Sequence, residues 1–259
     1  MKMTKRSQWA LPYVIFLGLF VVLPLFLVLV YAFQDGTGRF TFSNITRFFT
    51  DKDALSTFAL SMEVAIENTA ICILIGYPAA WILANRKLNR SAVTIVLFII
   101  PMWVNARMRT LATAELFNMM GLQLGKGTLI FGMVYDYLPF MIYPIYNILE
   151  RMDKSYAEAA ADLGADSWTV FRKVTLPLSL PGVASGVLMV FMPTVSTFAI
   201  SEFLTNNRIK LFGTIIQENI NSSMWNYGAA LSLIMLIIIG ITSLLTGGDK
   251  EDQMEGGMV

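Results

Sequence analysis

Long uncharged apolar runs constrain this chain more than any other feature. From Trp9 to Phe33 no residue carries a charge, and about 20 such residues suffice to cross the hydrocarbon core of a bilayer as a helix. The three basic residues ahead of it, Lys2, Lys5 and Arg6, also open a secretory signal. A signal core is only about 7–15 residues long, however, and no small-residue cleavage site follows, so the run is expected to be a retained first span. Further blocks of the same kind recur along the 259 residues, of which 56% are hydrophobic and 14% charged, with a mean hydropathy of +0.61. An ordinary soluble domain is about 45–50% apolar and about 25% charged. Runs of this length imply helices, so the expected class is an all-α integral membrane protein crossing the bilayer several times.

Six spans are expected, at about 9–33, 59–84, 91–117, 128–149, 181–204 and 227–246. They make one transmembrane domain over 9–247, between an N-terminus at 1–8 and a disordered tail at 248–259. Gly36 and Gly38 give a turn, and the rest of 34–58 suits a short helix on the membrane surface. Residues 118–127 read as a glycine-rich turn and 205–226 as a polar connection. Six spans place both termini on one side. The N-terminus, the 85–90 loop, the 150–176 stretch and the tail together hold eleven Lys and Arg, against six in the opposite loops. The positive-inside rule therefore puts the termini and the 150–176 stretch in the cytoplasm.

Several chemistries are excluded. There is no histidine, which removes the commonest metal ligand and general base. The single cysteine, Cys72, lies in an apolar block and permits no disulfide within the chain. A net charge of +1 points to no nucleic-acid partner. GLQLGKGT at 121–128 superficially resembles a phosphate loop, but its spacer is one residue short and Gly127 follows Lys126 where Ser or Thr is required. No metal or cofactor site is expected on the chain.

The segment Glu158–Gly182, between spans four and five, is half polar. Ala157, Ala160, Ala161 and Gly164 recur at spacings of three and four, which gives a smooth helical face able to enter a groove closely. Gly164 suits a left-handed helix end. Asp166 or Ser167 can cap a second helix, expected to close at Leu176-Pro177. A plain cytoplasmic loop is the alternative.

The spacing Glu158-Ala159-Ala160, Gly164, Val174, Leu176-Pro177 resembles the signature of ABC-importer permease subunits. MWVNARMR at 102–109, MVYDYLPFMIYPIYN at 133–147 and Gly76-Tyr77-Pro78 are similar to the B-type permeases of spermidine/putrescine importers. The resemblance implies a type I permease fold in a bacterial plasma (inner) membrane. Residues 157–165 would then form a coupling helix, with Glu158, Ala159, Ala160, Leu163, Gly164 and Ala165 docking on a cytoplasmic ABC ATPase. Further implied partners are a second permease of related fold, an extracellular or periplasmic substrate-binding protein and the surrounding membrane lipid. ATP and Mg would belong to the ATPase, so this chain would be a transport subunit and no enzyme.

Charge at membrane depth is costly and by default faces a cavity or a partner. Glu63 and Glu67 share a helical face near the outer end of span two, Asp136 lies inside span four, and Glu202 is at the outer end of span five. Arg107, Arg109 and Glu115 lie in span three. With Trp103, Asn105, Tyr135 and Tyr137, the carboxylates are candidates to line a path for a flexible cation. Alternatively the glutamates are simply solvated and Asp136 pairs with Arg107 or Arg109. Polyamine permeases carry an acid at the position of Glu202, but an apolar residue is usual where Asp136 stands. Other importers share the insert signature, including those for ferric iron, thiamine, sulfate and phosphonate, and two arginines could welcome an anion. A self-sufficient channel is a more distant reading, as the chain lacks a voltage-sensor pattern and a carbonyl filter.

Overall fold

The structure is a computed structural model and describes residues 11–85 and 93–247. The basic clusters at 2–6 and 86–90 and the tail lie outside the described residues. Eleven helices account for most of the described chain: α1 (Leu11–Ala32), α2 (Ser43–Thr50), α3 (Lys52–Ala84), α4 (Val93–Trp103), α5 (Ala106–Met119), α6 (Lys126–Arg151), α7 (Ser155–Asp162), α8 (Ser167–Ser196), α9 (Ala199–Leu204), α10 (Phe212–Asn221) and α11 (Trp225–Gly247). Five of them, α1, α3, α6, α8 and α11, are individually long and apolar enough to cross a membrane. The pair α4 and α5 makes a sixth if counted together, although its two halves are bent by 96°.

Two compact units are distinguished, Met1–Ser56 with Ile215–Ile238 and Thr57–Thr214 with Ile239–Val259. In the first, α1 leads to a tight hairpin closed by a bridge between Gln34 and Phe40. Asp35 Oδ1 accepts from the Thr37 and Arg39 amides and from the Thr37 hydroxyl; the Thr37 hydroxyl foremost holds the Asp35 carboxyl below its ordinary range. Asn44 Nδ2 donates to the Ala32 and Gln34 carbonyls, which ties the start of α2 to the end of α1. Arg47 of α2 stands over the Tyr227 ring at 4.1 Å.

The second unit packs α6 against α8 at small residues. A Cβ on Gly182 would meet the Pro144 carbonyl oxygen at 2.9 Å, and one on Gly186 would meet Met141, so glycine is what lets the two helices approach this closely. Polar pairs join α3 to α8: Asn68 Nδ2 donates to Thr194 Oγ1 (2.8 Å), and the Tyr77 and Ser179 hydroxyls are 2.8 Å apart. Both pairs are buried, so each satisfies groups that would otherwise be stranded. Met141, Ile142, Ile145, Val190 and Cys72 fill the space between.

Three expectations are corrected. Leu176-Pro177 does not close the insert's second helix: α8 runs without interruption from Ser167 to Ser196. Pro177 lacks an N–H and crowds the carbonyl four residues back. That carbonyl falls in a π-helical stretch, Phe171–Thr175, whose wider turn makes room for the ring. Pro24 of α1 follows a similar stretch at Gly18–Val22. Secondly, span five does not extend to Leu204, because Thr197 is extended (φ −67°, ψ 145°) and α9 starts afresh at Ala199. Thirdly, span three is not one helix, since Val104 and Asn105 separate α4 from α5. Elsewhere, α3 begins at Lys52, seven residues before the expected start, and the supposed polar connection contains α10.

Candidate functional site: a cavity where two broken helices meet α6

The two breaks have local causes and converge on the same turn of α6. At the first, Asn105 takes ψ 121° and its Oδ1 accepts the Arg107 amide (2.9 Å), an N-cap that starts α5 afresh. At the second, the Thr197 side chain is hydrogen-bonded to Tyr137 of α6, and Phe198 lies under the Arg107 guanidinium at 5.3 Å. Non-helical backbone at membrane depth is tolerated where protein buries it or a water-filled cavity borders it. A cavity of about 390 Å³ borders the first break, lined by Trp103, Asn105, Arg107, Arg109, Asp136, Tyr137 and Phe140 among others.

One ion pair dominates its floor. Arg109 Nη2 is 2.9 Å from Asp136 Oδ1, with the side chains only 8% and 2% exposed. Thr110 Oγ1 donates to Asp136 Oδ2 (3.0 Å). The choice left open by the sequence is thus decided: Asp136 pairs with Arg109, while Arg107 is exposed. Arg109 is incompletely served, for its Nε and Nη1 are buried without an acceptor among the described residues.

Of the candidate lining residues, the structure brings together Trp103, Asn105, Asp136 and Tyr137. Tyr135 is outside the lining, half exposed, with its ring centroid 5.4 Å from the Arg109 guanidinium carbon. Glu63 and Glu67 form a separate cluster in which both bind Lys126 Nζ, at 2.6 and 2.9 Å. Neither is a simply solvated carboxylate. Glu202 is exposed in the first turn of α9, outside the cavity lining. Phe140 and Thr110 were missed. Both are unremarkable in sequence and owe their place to the breaks.

At the insert, α7 has no buried residue. Its end is a Schellman turn: Gly164 has φ +84°, the Gly164 amide donates to Ala161 and the Ala165 amide to Ala160. Asp166 stands at the N-cap position of α8, where it accepts from the Thr169 hydroxyl, which above all holds its carboxyl below the usual range. The small-residue face looks partly inward, because Ala157, Glu158 and Ala161 line a groove of about 420 Å³ with Trp81, Leu149 and Met152. Leu163, 90% exposed, and Ala159 are on the open side.

A broken helix bordering a cavity with a buried ion pair is a feature that transport proteins built on discontinuous helices share. The chain belongs to the family described as binding-protein-dependent transport system inner membrane component, which matches residues 2–247. It is a multi-pass inner-membrane transport component. The spermidine/putrescine transport system permease protein PotB of Escherichia coli (strain K12) is 32% identical over 224 residues, 80% of this chain and 81% of its own. PotC of the same strain is 29% identical over 73% of each chain. In fold the chain is similar to a bacterial alginate ABC transporter crystallised with an alginate pentasaccharide-bound periplasmic protein. That likeness has a TM-score of 0.68 at 15% identity and covers 95% of this chain and 93% of the other.

Proposed function

We propose that this chain is a permease subunit of an ATP-driven importer that passes spermidine or putrescine from an external binding protein to the cytoplasm. The observation that carries the reading is the similarity to PotB over four-fifths of both chains. In this reading α7 is the coupling helix and lies in the cytoplasm with both termini. Glu158, Ala159, Ala160, Leu163, Gly164 and Ala165 meet an ABC ATPase, which holds the ATP and Mg. The uncovered α7 and its exposed Leu163 support this, since an apolar side chain in water gains by docking in a groove. The apolar surface of α1, exposed along nearly its whole length, suits lipid or a second permease of related fold. ATP-driven approach of two coupling helices then shifts the population between outward- and inward-facing forms. Glu202, Glu63, Glu67 and the aromatic-walled cavity are the proposed cation path.

Uptake of labelled putrescine into cells that lack their own polyamine uptake tests the substrate. Competition by spermidine, and none by sulfate or phosphonate, is expected. A Gly164→Trp variant, whose left-handed turn cannot accept a side chain without strain, is expected to keep its membrane level and lose ATP-dependent uptake. Normal uptake would remove the coupling role. A second reading, import of an anion, is favoured by one observation: Arg107 and Arg109 outnumber Asp136 at the cavity. The same competition assay decides between them.

A further inference from the structure

Two arginines at the cavity of a proposed cation permease look like a contradiction. Resting on the polyamine reading above, we propose that Arg109 is a resident stand-in for the substrate's ammonium group on Asp136. Passage then requires the incoming cation to take its place. Arg109 would thus be a specificity-determining residue in the path, beyond any role as a brace.

The geometry leads there in steps. Asp136 Oδ2 accepts from Thr110, while Oδ1 has Arg109 Nη2 at 2.9 Å as an ion contact without hydrogen-bond geometry, so the carboxylate is occupied in this state but not fully satisfied. Around the pair the cavity walls are Trp103, Tyr137 and Phe140. Aromatic faces of this kind suit an ammonium head and its methylene stem. Arg109 is a poor permanent occupant. A guanidinium binds a carboxylate best through two parallel N–H bonds, yet only Nη2 reaches Asp136 here, and Nε and Nη1 are buried with no acceptor. Buried donors left unpaired weaken the hold of the pair that strands them. A primary ammonium presents a compact charge with three donors and strands no second nitrogen.

Exchange also avoids the main cost of any such site. Removing one partner from a buried pair leaves an uncompensated charge, whereas one cation replacing another keeps Asp136 neutralised throughout. The guanidinium has somewhere to go. Already in the paired state its central carbon stands over the half-exposed Tyr135 ring at 5.4 Å, a contact it can keep while leaving Asp136, and Arg109 sits in the first turns of α5, just after the break at Asn105.

The test reads the order of three initial uptake rates of labelled putrescine by the whole importer in cells, each normalised to membrane-inserted protein. Arg109→Lys puts a fully satisfiable ammonium on Asp136 and is expected to slow uptake at least about threefold, because the stand-in is now harder to displace. Arg109→Gln removes the competitor and is expected to run faster than wild type at low putrescine. A brace predicts the reverse order, with Lys near wild type and Gln far below it, and that order would overturn the exchange. If Arg109→Gln fails to accumulate in the membrane, the Lys arm decides: a rate at or above wild type sinks the proposal, and a several-fold loss supports it. Absence of polyamine uptake by the wild-type chain would instead overturn the substrate reading and the exchange together. Normal wild-type uptake with an unaffected Arg109→Lys variant overturns the exchange alone.

Discussion

Two clusters of charge hang from the same helix, α6, separated by about 15 Å of helical rise, and they behave in opposite ways. At the start of α6, Lys126 Nζ lies between Glu63 and Glu67, and all three side chains are more than a third exposed. Water and salt screen such contacts, which are typically worth little. Three turns on, Asp136 and Arg109 are almost wholly out of water. There the same kind of contact is expensive to form and far more expensive to break. On the reading proposed above, the buried pair is the better placed of the two to act as a selector. In the exposed cluster a lost partner is replaced by solvent; in the buried one it must be replaced by another solute.

The sharpest way to break the comparison is to remove one member of the buried pair. Asp136→Ala should cost about 3–5 kcal/mol, read as a large drop in the thermal midpoint of purified protein or as lost membrane accumulation. Replacing both members by apolar residues of similar size, Arg109→Met with Asp136→Leu, should recover most of that stability while leaving putrescine uptake abolished. A double variant that stays as unstable as the single would mean that the fold depends on the pair itself. The next effect concerns the break behind the cavity. A Cβ on Gly213 would press against the carbonyl oxygens of Ser196 and Thr197, and backbone at the end of α8 cannot yield as a flexible side chain can. Gly213→Ala should therefore cost about 1–3 kcal/mol as an overpacked contact, measured by the same thermal midpoint. No loss would show that the Thr197 corner is soft.

How much of this was legible beforehand follows from what each signal averages over. Long apolar runs place the membrane helices because burial in lipid acts on whole segments. The breaks at Val104–Asn105 and Thr197–Phe198 do not disturb that average. Proline is no guide to them, since Pro101 and Pro193 precede breaks whereas Pro139, Pro144 and Pro177 lie in helices that continue. Phe212–Asn221 is helical, yet it is short and half polar, so it lacks the long apolar run by which a membrane helix declares itself. Arg107 and Arg109, two apart, point to different sides of a helix. Only one could face Asp136, and which one depended on the bend. The shared face of Glu63 and Glu67 follows from helical spacing, whereas the Lys126 bridge depends on how the start of α6 packs beside α3. The local geometry of Gly164 was readable because a left-handed helix end makes a demand that glycine meets within the sequence itself.

On the exposed side the expected effects are smaller. Lys126→Ala should produce only a small fall in thermal midpoint, and raising the salt concentration should erase the difference from wild type, since screening already takes most of the contact's value. A loss that persists in high salt would place the cluster among the buried, unscreened pairs. The smallest effect is expected next door, at Gly127. A Cβ there meets nothing within 4 Å, in contrast to Gly132 on the same helix, where it would run into Leu204. Alanine in a helix is favoured over glycine by roughly 0.5–1 kcal/mol in an interior position, and less in a first turn such as this one. Gly127→Ala should accordingly leave the midpoint unchanged or raise it slightly. A marked decrease would mean that the open space around the start of α6 is occupied in the purified protein, and that the Lys126 cluster is less exposed there than its side chains are in this structure.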